Sequence, residues 1–244
     1  MELKYAITED GAQRVRRFVQ PFVTRDPSCP AAGGQRVTSL YLDTPLGDFF
    51  GRHVARDADR FKLRVRRYGD DEPQAVYFEV KRKVGHVTEK RRARVAARDV
   101  AVLLARGRAD APGSPTPHGE NLRLFLWLMA LHRAAPRMLV TCRRESYVGP
   151  EPGCDARVTF DREMAHQEVA VPSLLGDPER WSRTPLETGN VVLELKYSGT
   201  PPWWMAEVAR RLSRRRMGYS KYVAAVADSM AGTRSAVRGR EVPA

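Results

Sequence analysis

Cysteine is scarce in this chain. Cys29, Cys142 and Cys154 are odd in number, far apart and free of any C-x-x-C spacing, which excludes a disulfide framework or a cysteine zinc site as the organising feature. Long apolar runs are missing too, since no stretch approaches the length of a membrane span. The opening Met1-Glu2-Leu3-Lys4 lacks the basic-then-apolar order of a signal peptide. A cytoplasmic location without membrane insertion is expected. His53, His86, His118, His132 and His166 show no paired metal-ligand spacing and read as surface or capping residues. Acidic residues are outnumbered, 29 against 42 Lys+Arg, for a formal net charge of +13. That excess calls for a polyanionic partner, with nucleic acid, anionic membrane and phosphate polymers all still open.

The 244 residues suffice for one large domain or two small ones. One domain over 1–231 is expected, followed by a flexible tail at 232–244. Apolar Val15, Phe18, Val19, Phe22 and Val23 at helical spacing predict an amphipathic helix over Thr8–Val23, with Thr8 as its N-cap. A strand over Arg36–Asp43 and a short helix over Leu46–Val54 follow. Phe61–Tyr68, Ala75–Lys83 and Val87–Val95 alternate with period two, the last two around a tight turn at Val84-Gly85. Arg106–His118 reads as an exposed loop and Glu120–His132 as a helix. Further strands are expected at Arg137–Val148, Arg157–Arg162, His166–Val171 and Val191–Tyr197, with an insertion over Pro172–Pro185. Helices from Pro201-Pro202 to Leu212 and from Ser220 to Met230 close the chain, and Trp203-Trp204 reads as a packing anchor at a helix start.

The charges on these strands are phased. Lys62, Arg64 and Arg66 share one face against Phe61, Leu63 and Val65, and Glu79, Lys81 and Lys83 oppose Val76, Phe78 and Val80. Glu2 and Lys4, Arg157 and Asp161, and Glu194 and Lys196 repeat the pattern. A two-residue loop at Val84-Gly85 would set Glu79 opposite Lys90 and add Lys90, Arg92 and Arg94 to the charged face. Amphipathic helices packed on the apolar faces leave the charged faces to look at one another, which is a barrel with a polar interior. So many like charges require a polyanion, a metal or counter-charges. These basic faces lack the interleaved aromatics on which single-stranded bases stack, so no nucleic-acid partner is expected.

In order along the chain, Glu2-Leu3-Lys4-Tyr5, Tyr41-Leu42-Asp43-Thr44, Lys62 to Gly69, Phe78-Glu79-Val80-Lys81, Arg144-Glu145-Ser146-Tyr147, Arg157 to Asp161, Leu193 to Lys196 and Ser220-Lys221-Tyr222 resemble the VTC domain. That is the polyphosphate polymerase domain of the triphosphate tunnel metalloenzyme (CYTH-like) superfamily. The resemblance implies an α+β fold, an antiparallel eight-stranded β-barrel tunnel with flanking α-helices. It also implies ATP and polyphosphate as substrates and a divalent metal, Mn2+ or Mg2+, as cofactor. Carried over by position, Lys4, Arg64, Arg66, Lys81, Lys90, Arg144, Arg157, Lys196 and Lys221 would bind phosphate. Glu194, with Glu2, would hold the metal, and Arg64, Arg66, Lys81 and Glu194 would be catalytic. The chain departs from the pattern twice. The first glutamate of the superfamily's Glu-x-Glu-x-Lys signature would fall before Met1, and Gly218 stands where some polymerase domains carry a lysine.

The function implied is transfer of the ATP γ-phosphoryl group to a growing polyphosphate chain. A metal-dependent inorganic or nucleoside triphosphatase of the same fold and a non-catalytic polyphosphate-binding module are the alternatives. With no spanning segment of its own, the chain would need a membrane-protein partner if its product crosses a bilayer.

Overall fold

The computed structural model describes residues 1–29, 33–85, 87–106, 117–150, 155–184, 186 and 191–238. His86, Cys154, the side chain of His118 and most of the expected Arg106–His118 loop lie outside this set. The strands are β1 (Glu2–Ile7), β2 (Thr24–Arg25), β3 (Gln35–Asp43), β4 (Asp59–Tyr68), β5 (Ala75–Val84), β6 (Val87–Ala96), β7 (Ala135–Val148), β8 (Arg157–Glu168), β9 (Ser182–Arg183) and β10 (Val191–Lys196). The helices are α1 (Glu9–Val19), α2 (Asp48–Val54), α3 (Val100–Arg106), α4 (Pro117–Leu131), α5 (Trp203–Arg211) and α6 (Lys221–Arg238).

The hydrogen-bonded path is β1-β10-β8-β7-β3-β4-β5-β6, with β2 added to β7 and β9 to β8. The fold class is α+β, as expected. The closed eight-stranded barrel is corrected: the antiparallel sheet has ten strands, and β1 and β6 end its path without pairing to each other among the described residues. The composition of β6 supplies a reason, since Glu89, Lys90, Arg91, Arg92 and Arg94 crowd that edge and charged side chains blunt further strand pairing.

The chain forms two compact units. The first comprises Met1–Arg36, Cys142–Met164 and Arg183–Ser220. Its core gathers Leu3, Tyr5, Ile7, Val158, Phe160, Leu193 and Leu195 from β1, β8 and β10, together with Trp204, Met205 and Val208 of α5. These strand residues are the apolar phase read from the sequence. Thr8 caps α1 as expected, its Oγ1 accepting from Gly11 N at 3.2 Å. The helix stops at Val19, short of the expected Val23, and Gln20–Phe22 form a 3-10 turn. Pro21 is the cause, because it has no N–H to continue the helical ladder. Trp204 stacks on Phe22 at 6.1 Å as a packing anchor, whereas Trp203 is 66% exposed.

The second unit comprises Val37–Thr141, Ala165–Ser182 and Lys221–Ala244. Leu63, Val65, Phe78 and Val80 of β4 and β5 pack with Phe125, Leu126 and Met129 of α4. Burying each large apolar side chain contributes roughly 1.5–3 kcal/mol, so period two in the strands fixes which face the helix covers. Val84 pairs with Val87, leaving Gly85, at φ 55, and His86 between them. The turn is therefore one residue later than expected, and Glu79 faces Arg92 instead of Lys90. The register moves by two residues, so every side chain keeps its face.

Two further boundaries differ. β8 runs unbroken from Arg157 to Glu168, where two strands were expected, passing through Glu163 at φ 48. A left-handed non-glycine residue interrupts the alternation by which the sequence signals a strand. α6 continues past Met230 to Arg238.

Candidate functional site

In the second unit, cross-strand pairing lays charged residues side by side in rows. Lys62 of β4 pairs with Lys81 of β5, which pairs with Lys90 of β6; the next row is Arg64, Glu79 and Arg92, and the next Arg66, Tyr77 and Arg94. β3 adds Tyr41 opposite Arg64 and Ser39 opposite Arg66. Three lysines in one row repel one another. Their excess charge is organised around Glu79, which is fully buried. Arg64 Nε donates to Glu79 Oε2 at 2.7 Å, and Arg66 Nη1 lies 3.9 Å from the same oxygen. Lys90 Nζ at 2.8 Å and Arg92 Nε at 3.3 Å approach Oε1. One carboxylate thus holds four cations. Burial alone would push its pKa up, but Arg64, Arg66 and Lys90 hold it well below the usual carboxylate range. Burial and the neighbouring Arg64 and Arg66 press the Lys90 pKa down, against the pull of Glu79.

Tyrosines frame these arginines. Arg64 Nη1 donates to Tyr41 Oη at 3.2 Å, and Tyr41 stacks on Tyr222 at 4.9 Å. Tyr222 in turn donates to Asp43, whose carboxylate also accepts from Phe49 N and Phe50 N at the start of α2, at 2.9 and 3.0 Å. Asp43 and Tyr222, from two of the recognised motifs, are therefore structural supports that hold Tyr41 under Arg64. Lys221 opens α6 beside this stack, and its charge helps to lower the Tyr41 pKa, with Arg64 and Arg66, against the upward push of burial.

Near the lysine row, His53 donates from Nδ1 to Phe49 O at 2.8 Å. Its pKa is lowered to about 4 by burial first, then by the charge of Lys62. Of the other described histidines, His132 packs edge-on to Phe49, and His166 is buried, 3.6 Å from Asp228. His166 is thus no surface residue: β8 carries it inward, which the continuous strand explains.

In the first unit, Lys4 pairs with Glu194 across β1 and β10, and Glu194 with Thr159 of β8. The adjacent row is Glu2, Lys196 and Arg157. Lys4 Nζ lies 2.9 Å from Glu2 Oε1 and 3.8 Å from Glu194 Oε2, and donates to Tyr219 O at 3.1 Å. The segment with Gly218 in place of the family lysine is thus fastened to Lys4. Arg157 Nε approaches Asp26 at 3.5 Å, and Asp26 also accepts from Ser28 Oγ and Ser146 Oγ. Arg144 makes a two-pronged pair with the buried Asp161, Nε at 2.7 Å and Nη2 at 2.8 Å. That fork raises the Arg144 pKa in spite of its burial. Lys196 is exposed.

Of the expected ligands, the structure groups Arg64, Arg66, Lys81 and Lys90 on one sheet face with Lys221 beside the Tyr41 stack. In the first unit it brings Glu2, Lys4, Arg157, Glu194 and Lys196 together in adjacent rows of β1, β10 and β8, with Arg144 held by Asp161. Arg92 is expected on the charged face, but its pairing with Glu79, the part played by Tyr41, Tyr68 and Tyr77, and the organising role of Glu79 were missed. The absence of interleaved aromatics is also corrected: Tyr77 has the parity of Glu79 and Lys81, and that parity was the signal that could have placed it on the charged face.

The donor set for a divalent cation is small. Among the described residues, no three His, Cys, Asp or Glu side chains gather as a metal site. Glu2 and Glu194 converge on the Lys4 ammonium, and the buried Thr159 Oγ1, in register with Glu194, has no hydrogen-bond partner. Two carboxylates and one orphaned hydroxyl are oxygen donors of the kind a hard cation such as Mg2+ takes.

The sequence profile of the VTC domain matches residues 1–230. The chain belongs to the VTC domain family. Among solved structures, a candidate adenylate cyclase of Bacillus halodurans shares the fold of this VTC domain at a TM-score of 0.51 and 11% identity, over 90% of this chain and 92% of that one. A candidate adenylate cyclase of Vibrio parahaemolyticus aligns at a TM-score of 0.47 and 12% identity, over 92% and 95% of the two chains. No curated protein matches. No helix among the described residues of this VTC domain is long and apolar enough to cross a membrane.

Proposed function

We propose that this VTC domain is a metal-dependent polyphosphate polymerase that transfers the γ-phosphoryl group of ATP to the end of a polyphosphate chain. The observation that carries this reading is the row Lys62–Lys81–Lys90 beside Arg64 and Arg66, five cations on one face of β4, β5 and β6, with the buried carboxylate of Glu79 holding Arg64, Arg66 and Lys90. Such a face is unfavourable by itself and favourable once a chain of phosphates lies on it. Arg64 and Arg66 offer forked donors to non-bridging oxygens, and Lys81 and Lys90 add point charges. Glu79 holds the arginine forks in place before substrate arrives, which removes an ordering cost at the moment of reaction. Lys4, Arg144, Arg157, Lys196 and Lys221 are the remaining phosphate contacts.

In the reaction, a terminal oxygen of the polyphosphate attacks the γ-phosphorus. The bond from that phosphorus to the β,γ-bridging oxygen breaks, and ADP leaves with the electron pair. The attacking oxygen is already ionised, so positioning and charge neutralisation suffice and no base is required. Glu194 and Glu2 would hold a Mn2+ or Mg2+ ion, which when bound would supply positive charge to offset the charge that builds in the transition state. The same reading puts its work in the cytoplasm, with a membrane protein as partner if the product is exported.

Incubation of the purified protein with ATP and Mn2+ tests this reading. A polyphosphate ladder with ADP supports it. Free phosphate without chains makes the protein a triphosphatase, and no turnover with any divalent metal makes it a binding module. Affinity for polyphosphate should fall steeply with salt, because the contacts are ionic.

A further inference from the structure

Beyond the phosphate contacts, Arg92 occupies an environment that phosphate binding does not explain. Its guanidinium carbon lies 3.5 Å from the centroid of the Tyr77 ring, and its Nη2 donates to Tyr68 Oη at 3.2 Å. Its Nε stands 3.3 Å from Glu79 Oε1. Tyr68 and Tyr77 meet edge to face at 5.6 Å, so the two rings brace each other as well as the guanidinium. A side chain with many rotamers is thereby fixed at three points. Even so, 38% of it stays exposed. A cation seated only to pair with Glu79 needs neither ring, and Lys90 makes that pairing from the same strand without one. An aromatic-backed, planar guanidinium is instead a preformed stacking surface for a heteroaromatic ring.

We propose that Arg92, backed by Tyr77 and Tyr68, is the stacking platform for the base of a nucleoside triphosphate. The proposal rests on the reading of the Glu79 cluster as a phosphate site and extends it to the nucleoside. Continuity supports it: Arg92 shares Glu79 with Arg64, Arg66 and Lys90, so a base on Arg92 carries its phosphates toward those three residues. Stacking tolerates any base, and the larger purine surface should bind better than a pyrimidine.

The test compares ATP with tripolyphosphate, which has the phosphates and no base. Calorimetry on the full chain should show that Arg92→Lys, which keeps the charge and loses the plane, and Tyr77→Leu each weaken ATP binding about tenfold, the scale of one lost base stack. Tripolyphosphate binding should change less than about twofold in Tyr77→Leu, and Tyr77→Phe should keep wild-type ATP affinity. Equal weakening of both ligands, or of neither, overturns the platform while leaving the phosphate site intact. Failure of the wild-type protein to bind tripolyphosphate overturns the phosphate site and the platform with it. If a variant does not fold, saturation-transfer NMR on the wild type decides. Strong transfer to the adenine protons of bound ATP is expected, and transfer confined to the ribose overturns the proposal.

Discussion

Arg64 donates its Nε–H to Glu79 at 2.7 Å, and that carboxylate has no solvent exposure, with three more cations within 3.9 Å. Arg64 is the closer of the two arginines on Oε2, and Tyr41 steadies its other end. Removing the charge of Glu79 should therefore do more harm than removing any one cation. Glu79→Gln is expected to cost about 3–5 kcal/mol in chemical denaturation, the range for breaking a buried ion pair. Tripolyphosphate should restore much of the lost stability, since it supplies the missing negative charge. A variant as stable as wild type would show that Glu79 does not organise the cluster.

Parity separates three neighbouring arginines. Arg64 and Arg66 lie in the charged rows, whereas Arg67 is on the other face of β4 and is buried. Arg64→Ala and Arg66→Ala should each weaken tripolyphosphate binding by about tenfold or more, or about 1.4 kcal/mol. Arg67→Ala should leave affinity nearly unchanged and lower the melting temperature instead. Equal losses of affinity in all three would reduce the site to general surface charge.

Glu194 is proposed here as a metal ligand, yet its carboxylate lies 3.8 Å from Lys4. The two roles separate in Glu194→Gln. As a metal ligand, its loss should cut ATP turnover by about 100-fold and shift the Mn2+ dependence upward. Metal-free polyphosphate binding should hold or tighten, because a repelling carboxylate has gone. Near-wild-type turnover with an unchanged Mn2+ titration would leave Glu194 as a counter-charge to Lys4.

His53 gives a pH signature. Burial and Lys62 lower its pKa from 6.5 to about 4, so folding favours the neutral ring. Its contribution is complete above pH 6.5 and is lost as pH falls toward 4, because the unfolded chain binds the proton first. His53→Gln should flatten the acid limb of stability against pH in that window. Tripolyphosphate should raise the His53 pKa in an NMR titration by offsetting the charge of Lys62 and Lys81. No movement on saturation would argue against phosphate occupying the lysine row.

The sequence by itself determined which residues share a face. Phe61, Leu63 and Val65 had to part from Lys62, Arg64 and Arg66, because a strand's side chains alternate whatever the strand pairs with. The same local rule placed Glu194 with Lys196 and Glu2 with Lys4. It held even where the turn after Val84 was misplaced, since the error was two residues and kept the parity. The family was legible for a related reason: the motifs are short runs along the chain, and their order survives without any contact being known.

What only the tertiary structure decided is who meets whom across strands. Register puts Arg92 beside Glu79 and Tyr77 within reach of its guanidinium, and no spacing along the chain specifies either contact. Arg144 meets Asp161, and Thr159 lies next to Glu194 with its hydroxyl orphaned, for the same non-local reason. Burial was equally hidden: Arg67 and His166 carry polar side chains that composition assigns to the surface, and packing holds them inside. Period two is a property of the backbone and can be read from one strand. Register, side-chain reach and desolvation depend on which strands come together, so only the folded chain fixes them.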